Sequence, residues 1–303
     1  MEPRITTSSW VMVTTLGFVW GASFLFNALA LKELGPFWIG TLRVILAGAV
    51  TTAVWQVRGG RFYTSAERAH PAVLASVGLM STSLPFMMIS WGQQYVSSGF
   101  AGVSMAAVAL MVLPLAHFLV PGERMSLRRT IGFLVGFAGV VVLIGPEALR
   151  STGAATETAG RLACLGAAGC YAVSSVVMRR IPPVDPIGLS AVTLLVGAAF
   201  GMVVATIYEG VPPVPGTTVI AVIVALGLIQ TAAANLLRVV VIRSAGPTFM
   251  SLTNYQVPVW SVILGVVVLG EPMEPPLFLA MALILAGVAL SQWGALRRLF
   301  GRL

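Results

Sequence analysis

The stretch SLTNYQVPVW, Ser251 to Trp260, sets Asn254, Tyr255 and Gln256 beside Pro258 inside an apolar run from Pro247 to Leu269. Each amide offers donors and an acceptor, and the phenol offers both. None is a strong nucleophile, and no acid stands beside them. Their chemistry is recognition through hydrogen bonds, not bond-making. In hydrocarbon an unsatisfied polar group costs several kcal/mol. These groups must therefore meet polar partners on other helices or face a wet path. Pro258 removes one backbone hydrogen bond and sets a fixed bend or a hinge. A cavity or gate role is the expectation, because intramembrane polar groups mark substrate paths.

Other candidates share this character. Trp20, Ser23, Phe24 and Asn27 fall at i, i+3, i+4 and i+7, one helical stripe. Tyr171, Ser174 and Ser175 repeat the arrangement later in the chain. In MSTSLPFMM, Pro85 with Ser81, Thr82 and Ser83 marks a second kink whose freed groups hydroxyls can meet, and Met80 and Met87 offer an adaptable wall. Gln230 and Asn235 lie five residues apart, so on an α-helix at most one is expected to line a common cavity. Trp260 is a further aromatic candidate, and Pro114 a further hinge. Arg43 is the costliest group. It is either an anchor for a substrate carboxylate or a structural tie to helix-end carbonyls.

What is missing narrows the function. No Asp or Glu lies mid-span: Glu123 and Glu271 fall at helix ends and Asp185 in a loop. The two histidines, His70 and His117, lie near span ends. Paired acids, a Ser/His pair or a metal cluster for an intramembrane enzyme are not formed. There is no phosphate loop for direct ATP drive. Cys164 and Cys170 share one apolar span and read as small buried side chains, with no disulfide or metal role. No cofactor, metal or nucleic-acid partner is expected, since the basic residues are dispersed in short loops. If the apolar runs enclose a solute path, the lack of a mid-span acid makes movement along it gradient-driven or exchange, unless an unusual group such as His117 couples it to protons.

The elements that must hold these residues are membrane spans. The chain is 57% hydrophobic and 9% charged, against about 25% charged in a soluble globular chain, and its mean hydropathy is +0.94. Ten apolar runs fit helices near 9–31, 36–57, 71–92, 97–120, 128–145, 160–178, 186–208, 217–241, 247–269 and 275–296. With the N-terminus inside, the inner ends hold Arg4, Arg58, Arg61, Arg68, Arg124, Arg128, Arg129, Arg179, Arg180, Arg243, Arg297, Arg298 and Arg302. The outer loops hold only Lys32, Arg150 and Arg161. This bias puts both termini in the cytoplasm and the longest loop, 146–159 with Glu147 and Glu157, outside. Trp10, Trp38, Trp55, Trp91 and Trp293 fall at span ends, as interface anchors do. Trp20, Trp260, Tyr171 and Tyr255 do not.

The chain also repeats itself. PGERMSLRRTIGFLVGFAGVVVL (121–143) aligns with GEPMEPPLFLAMALILAGVAL (270–290) at an offset of 148, pairing Gly122 with Gly270 and Glu123 with Glu271. Five spans per half is odd, so the halves, 1–150 and 151–303, cross in opposite senses, as in secondary transporters with a midplane site between repeats. Gly132, Gly136 and Gly139 form a close-packing seam, read as intramolecular and alternatively as a dimer contact.

WGASFLFNALALKELGPFWIGTLRVILAG (20–48), the 121–145 segment and AGPTFMSLTNYQVPVWSVILGVVVLGEPMEPPLFLAMALILAGVAL (245–290) resemble the drug/metabolite transporter superfamily, in its ten-helix EamA type. NYQVP also resembles bacterial aromatic amino-acid exporters. The resemblance implies an all-α membrane protein of ten transmembrane helices, two inverted five-helix repeats around a central cavity. It implies a small-molecule substrate and alternating access. A multi-pass place in a bacterial inner membrane is expected, as a monomer or alternatively a homodimer. It favours a structural role for Arg43. It also places a proline in helix 4 near Leu110 or Met111; here the nearest is Pro114, so the inner half is expected to kink differently. The expected function is export of amino acids, aromatic ones included, and related metabolites. The alternative is a multidrug or lipophilic-cation exporter, which would want an acidic or strongly aromatic site.

Overall fold

The computed structural model describes residues 5–64, 67–120, 122–145 and 155–300. Arg4, Glu147, Arg150 and Arg302 lie outside them. Among the described residues ten helices form the body: α1 Thr7–Ala30, α2 Pro36–Val57, α3 Pro71–Gly92, α4 Ser98–Leu119, α5 Leu127–Ile144, α6 Ala155–Met178, α7 Pro186–Glu209, α8 Thr217–Ala245, α9 Thr253–Leu269 and α10 Pro275–Ser291. Eight are long and apolar enough to cross a membrane, and α9 and α10 are shorter apolar helices. A short eleventh helix, α11, covers Trp293–Phe300.

Starts and stops follow local chemistry. Thr6 and Ser9 cap α1 reciprocally, and Ser97, Ser126 and Asp185 accept first-turn N–H groups of α4, α5 and α7. Proline stands in the first turn of α2, α3, α7 and α10, where its missing N–H costs nothing. Gly270 ends α9 in the left-handed conformation, with φ 68°.

Two helices are not uniform. Leu79–Ser83 in α3 and Ala225–Ala233 in α8 are π-helical. In α3 the π stretch runs up to Pro85, and the Thr82 hydroxyl donates to the Gly78 carbonyl at 2.6 Å. At the offset of 148 the segment 79–83 corresponds to 227–231, so the two π stretches are repeat equivalents.

The ninth run is broken where a continuous span was expected. A turn Pro247–Met250 is followed by a tight bend, and α9 begins only at Thr253. The Thr253 hydroxyl donates to the Met250 carbonyl at 2.9 Å and the Asn254 N–H to Ser251 at 3.1 Å. Asn254, Tyr255 and Gln256 therefore sit in the first turn of a helix, not near the middle of a span. Likewise the tenth run stops at Ser291 and α11 starts anew.

Packing obeys the exchange of halves. α5 packs on α10 and α2 on α7, while α1 on α9 is matched by α6 on α4, and α1 on α8 by α6 on α3. The glycine seam lies inside the molecule: a Cβ on Gly132 would stand 2.7 Å from the Gly287 carbonyl oxygen of α10.

Candidate substrate cavity

A cavity of about 1640 Å³ occupies the centre of the bundle. It opens at the face where α4, α6, α8 and α10 end, since its rim includes His117, the 123–129 loop, Arg179 and Gln292. Inward it reaches Asn27 and Ile89.

At the opposite face, carboxylates cap helix starts. Glu209 accepts from the Phe37 and Trp38 N–H groups at 2.9 and 3.1 Å. Glu271 accepts from Ser98 and Gly99 at 2.7 and 3.1 Å, and Glu33 from Gly216 at 2.6 Å. Each puts a negative charge on a helix N-terminus, where dipole and free N–H groups favour it. Between these caps and the cavity lies a buried amide network. Asn27 donates to the Gln93 side-chain oxygen at 2.8 Å, Ser90 donates to Asn27 at 2.8 Å, and Gln93 donates to the Phe24 carbonyl at 3.1 Å. This ties α1 to α3.

The structure brings Trp20, Phe24, Asn27, Tyr171, Ser174, Gln230, Asn235 and Asn254 to the cavity wall. Asn27 contributes there chiefly as part of the closing network, being 2% exposed with both ends of its amide engaged. Met80, Ser83, Tyr255, Gln256 and Trp260 are not on that wall. Gln256 presses on Gly17, and Trp260 on Gly21 and edge-on to Phe18 at 5.2 Å; both thus fill the α1–α9 seam. Ser83 faces Gly201 of α7. The Tyr255 phenol oxygen is buried without a hydrogen-bond partner among the described residues. Pro114 and Pro258 lie inside α4 and α9, and Pro85 follows the π stretch of α3, all off the wall.

Gln230 and Asn235 both line the cavity, against the α-helical expectation. The π stretch explains it: there the hydrogen bonds close from i to i+5, so residues five apart return to one side. Past it, Thr231, Asn235, Arg238 and Ile242 continue the wall at i, i+4, i+7 and i+11.

Arg43 sits in this wall, 5% exposed. Its Nε and Nη2 donate to the Thr231 hydroxyl at 3.3 and 3.1 Å, and Nη2 to Ser23 at 3.2 Å. Its guanidinium lies 3.9 Å from the Phe86 ring centroid, and Phe86 meets Tyr171 edge-on at 6.4 Å. No helix-end carbonyl is among these partners, so the tie expected from the sequence takes another form, hydroxyls and a π face. Ser23, on the stripe read from the sequence, is on the wall, and Phe86, Thr231 and Arg238 are wall residues absent from the sequence-derived set. Thr231 and Arg238 were signalled by their helical spacing from Asn235.

A ten-helix bundle around one large cavity, its largely apolar wall set with amides, hydroxyls and arginines and its mouth at one face, is the architecture of a membrane carrier. The sequence pattern of the EamA-like transporter family matches residues 8–145 and again 158–293. The chain belongs to that family and is a multi-pass membrane transporter with a small-molecule substrate. It is 22% identical to the uncharacterized transporter YoaV of Bacillus subtilis strain 168 over 289 residues, 94% of this chain and 97% of that one. It is 23% identical to the uncharacterized inner membrane transporter YedA of Escherichia coli K12, covering 92% and 89% of the two chains. A crystal structure of a protein 24% identical to it superposes with a TM-score of 0.65 over 97% of this chain and 99% of the other, a likeness of fold.

Proposed function

We propose that the chain exports amino acids, aromatic ones included, and related small metabolites by alternating access. The halves 1–150 and 151–303 rock against each other, and the substrate's own gradient or exchange drives the cycle. The observation that carries the reading is the cavity wall. It pairs aromatic surface from Trp20, Phe24, Phe86 and Tyr171 with neutral amides and hydroxyls, and its charged residues are Glu123 and six arginines. Apolar walls with a few placed polar groups suit amphiphilic solutes. The excess of basic groups weighs against a lipophilic-cation substrate. We place both termini in the cytoplasm of a bacterial inner membrane on the arginine bias of the inner loops, so the mouth of the cavity faces the cytoplasm. We take the working unit as a monomer, since the glycine seam of α5 is spent on α10.

Proteoliposomes loaded with labelled amino acids test this. Efflux of at least one amino acid well above protein-free vesicles is expected, without stoichiometric proton flux. Transport of a quaternary amine with no amino-acid flux would replace this reading by the multidrug one.

A further inference from the structure

Arg43 holds a full positive charge deep in the bundle with no acidic partner among the described residues. A buried charge is normally paired. Here the partners are two neutral hydroxyls and a ring face, which fix the fork without neutralising it. Nη1 makes no hydrogen bond among the described residues, and it is not sealed off from solvent as the buried unpaired atoms are. Two donors of the fork are thus free at the cavity wall. Beside the Thr231 that holds Arg43, Gln230 is 5% exposed, and its side-chain oxygen is a buried acceptor without a donor. Arg238 follows on the same face of α8, seven residues or about 10 Å nearer the mouth. It too has no ion pair among the described residues.

We infer that Arg43 is the substrate's anion site: the cavity selects solutes bearing a carboxylate, which accepts hydrogen bonds from Nη1 of Arg43. Planar guanidinium and carboxylate match in geometry and charge. Arg238 and the rim arginines supply a positive field that draws the anion inward. The inference rests on the reading of this cavity as the transport site, and it adds the group recognised and the residue that recognises it.

The test is equilibrium binding, separate from flux. Purified wild-type protein in detergent is titrated with each of the common amino acids, the matching decarboxylated amines and the matching desamino acids, and thermal stabilisation is read. At least one amino acid is expected to stabilise, its desamino acid to stabilise as well because it keeps the carboxylate, and its amine to fail. Arg43→Gln is expected to weaken binding of that amino acid at least tenfold, with Arg43→Lys intermediate because it keeps the charge and loses the fork. If no carboxylate binds, or if the amine binds within threefold of its amino acid, the inference is overturned. Unchanged affinity in folded Arg43→Gln overturns it equally. If that variant does not fold, the comparison of amino acid and amine on wild-type protein decides alone. Selective binding without flux in proteoliposomes would instead remove the transport reading and keep the site. Flux without carboxylate selectivity would do the reverse.

Discussion

Glu123 and Glu271 occupy equivalent positions in the two halves and make different contacts. Glu271 caps the start of α4 through the Ser98 and Gly99 N–H groups. By the offset of 148, Glu123 would meet residues 246 and 247, and residue 247 is a proline with no N–H to give. Glu123 instead pairs with Arg129 at 3.2 Å and Arg179 at 3.3 Å on the cavity rim. One glutamate helps hold a face shut, and the other stands at the open face.

Removing the shut-side cap should loosen that face. A lost N-terminal cap costs about 0.5–2 kcal/mol, enough to shift a two-state balance several-fold. Spin labels at Gln94 and Val214, on closed-face loops, should report a longer or broader distance in Glu271→Ala than in the parent. An unchanged distribution would show that the cap does not bear on closure.

Glu123→Gln should behave differently. The side chains of both its ion pairs are 38–48% exposed, and surface pairs of this kind contribute about 0–1 kcal/mol. The thermal midpoint should stay within a degree or two of the parent. A drop of many degrees would mean that the rim pairs hold the bundle together.

The amide network predicts a larger loss. Gln93 is 8% exposed and joins Asn27 to the Phe24 carbonyl. Gln93→Leu leaves both without that partner, at about 1–3 kcal/mol. A clear fall in the unfolding midpoint is expected, with a more accessible closed face by the same spin labels. Wild-type stability in this variant would mean that water or a repacked side chain replaces the bond.

The α5–α10 seam predicts intolerance to size. A Cβ on Gly287 would meet the backbone of Gly132 and Gly136. Rigid backbone cannot yield as a side-chain tip can, and overpacking costs about 1–3 kcal/mol. Gly287→Leu should lower the yield of folded, monodisperse protein more than Gly294→Leu, where a Cβ meets nothing within 4 Å.

Much of the frame was legible because hydrocarbon imposes simple rules. The starts of α2, α3, α7, α8 and α10 fall where the apolar runs were read to begin, and the inverted pairing follows from the 148-residue offset. Side-chain direction was less legible. Trp260 and Gln256 looked like cavity groups because they are large or polar in an apolar run, yet small residues on α1, Gly17 and Gly21, make room for them in a seam. Gln93 and Ser90 escaped notice because a buried network depends on three helices meeting, which no local spacing reports. The side of α8 that faces inward could not be phased across a π stretch that the residues do not announce.

That phase gives the last prediction. In a background with Cys164 and Cys170 replaced by alanine, single cysteines along α8 should react with a charged, membrane-impermeant thiol reagent only where they line the cavity. Positions 230, 235, 238 and 242 are wall positions. Ile229 and Val240 are 55% and 51% exposed but off the wall, on the outer surface of the bundle. The reagent should modify cysteines at 235, 238 and 242, with 230 slower because it is 5% exposed, and spare 229 and 240 in a bilayer. A regular α-helix would rotate residue 230 away from 235 by roughly 140°, at 100° per residue. Complete protection at 230 beside full reaction at 235 would therefore argue for regular α-helix through Ala225–Ala233, and would take Gln230 out of the wall.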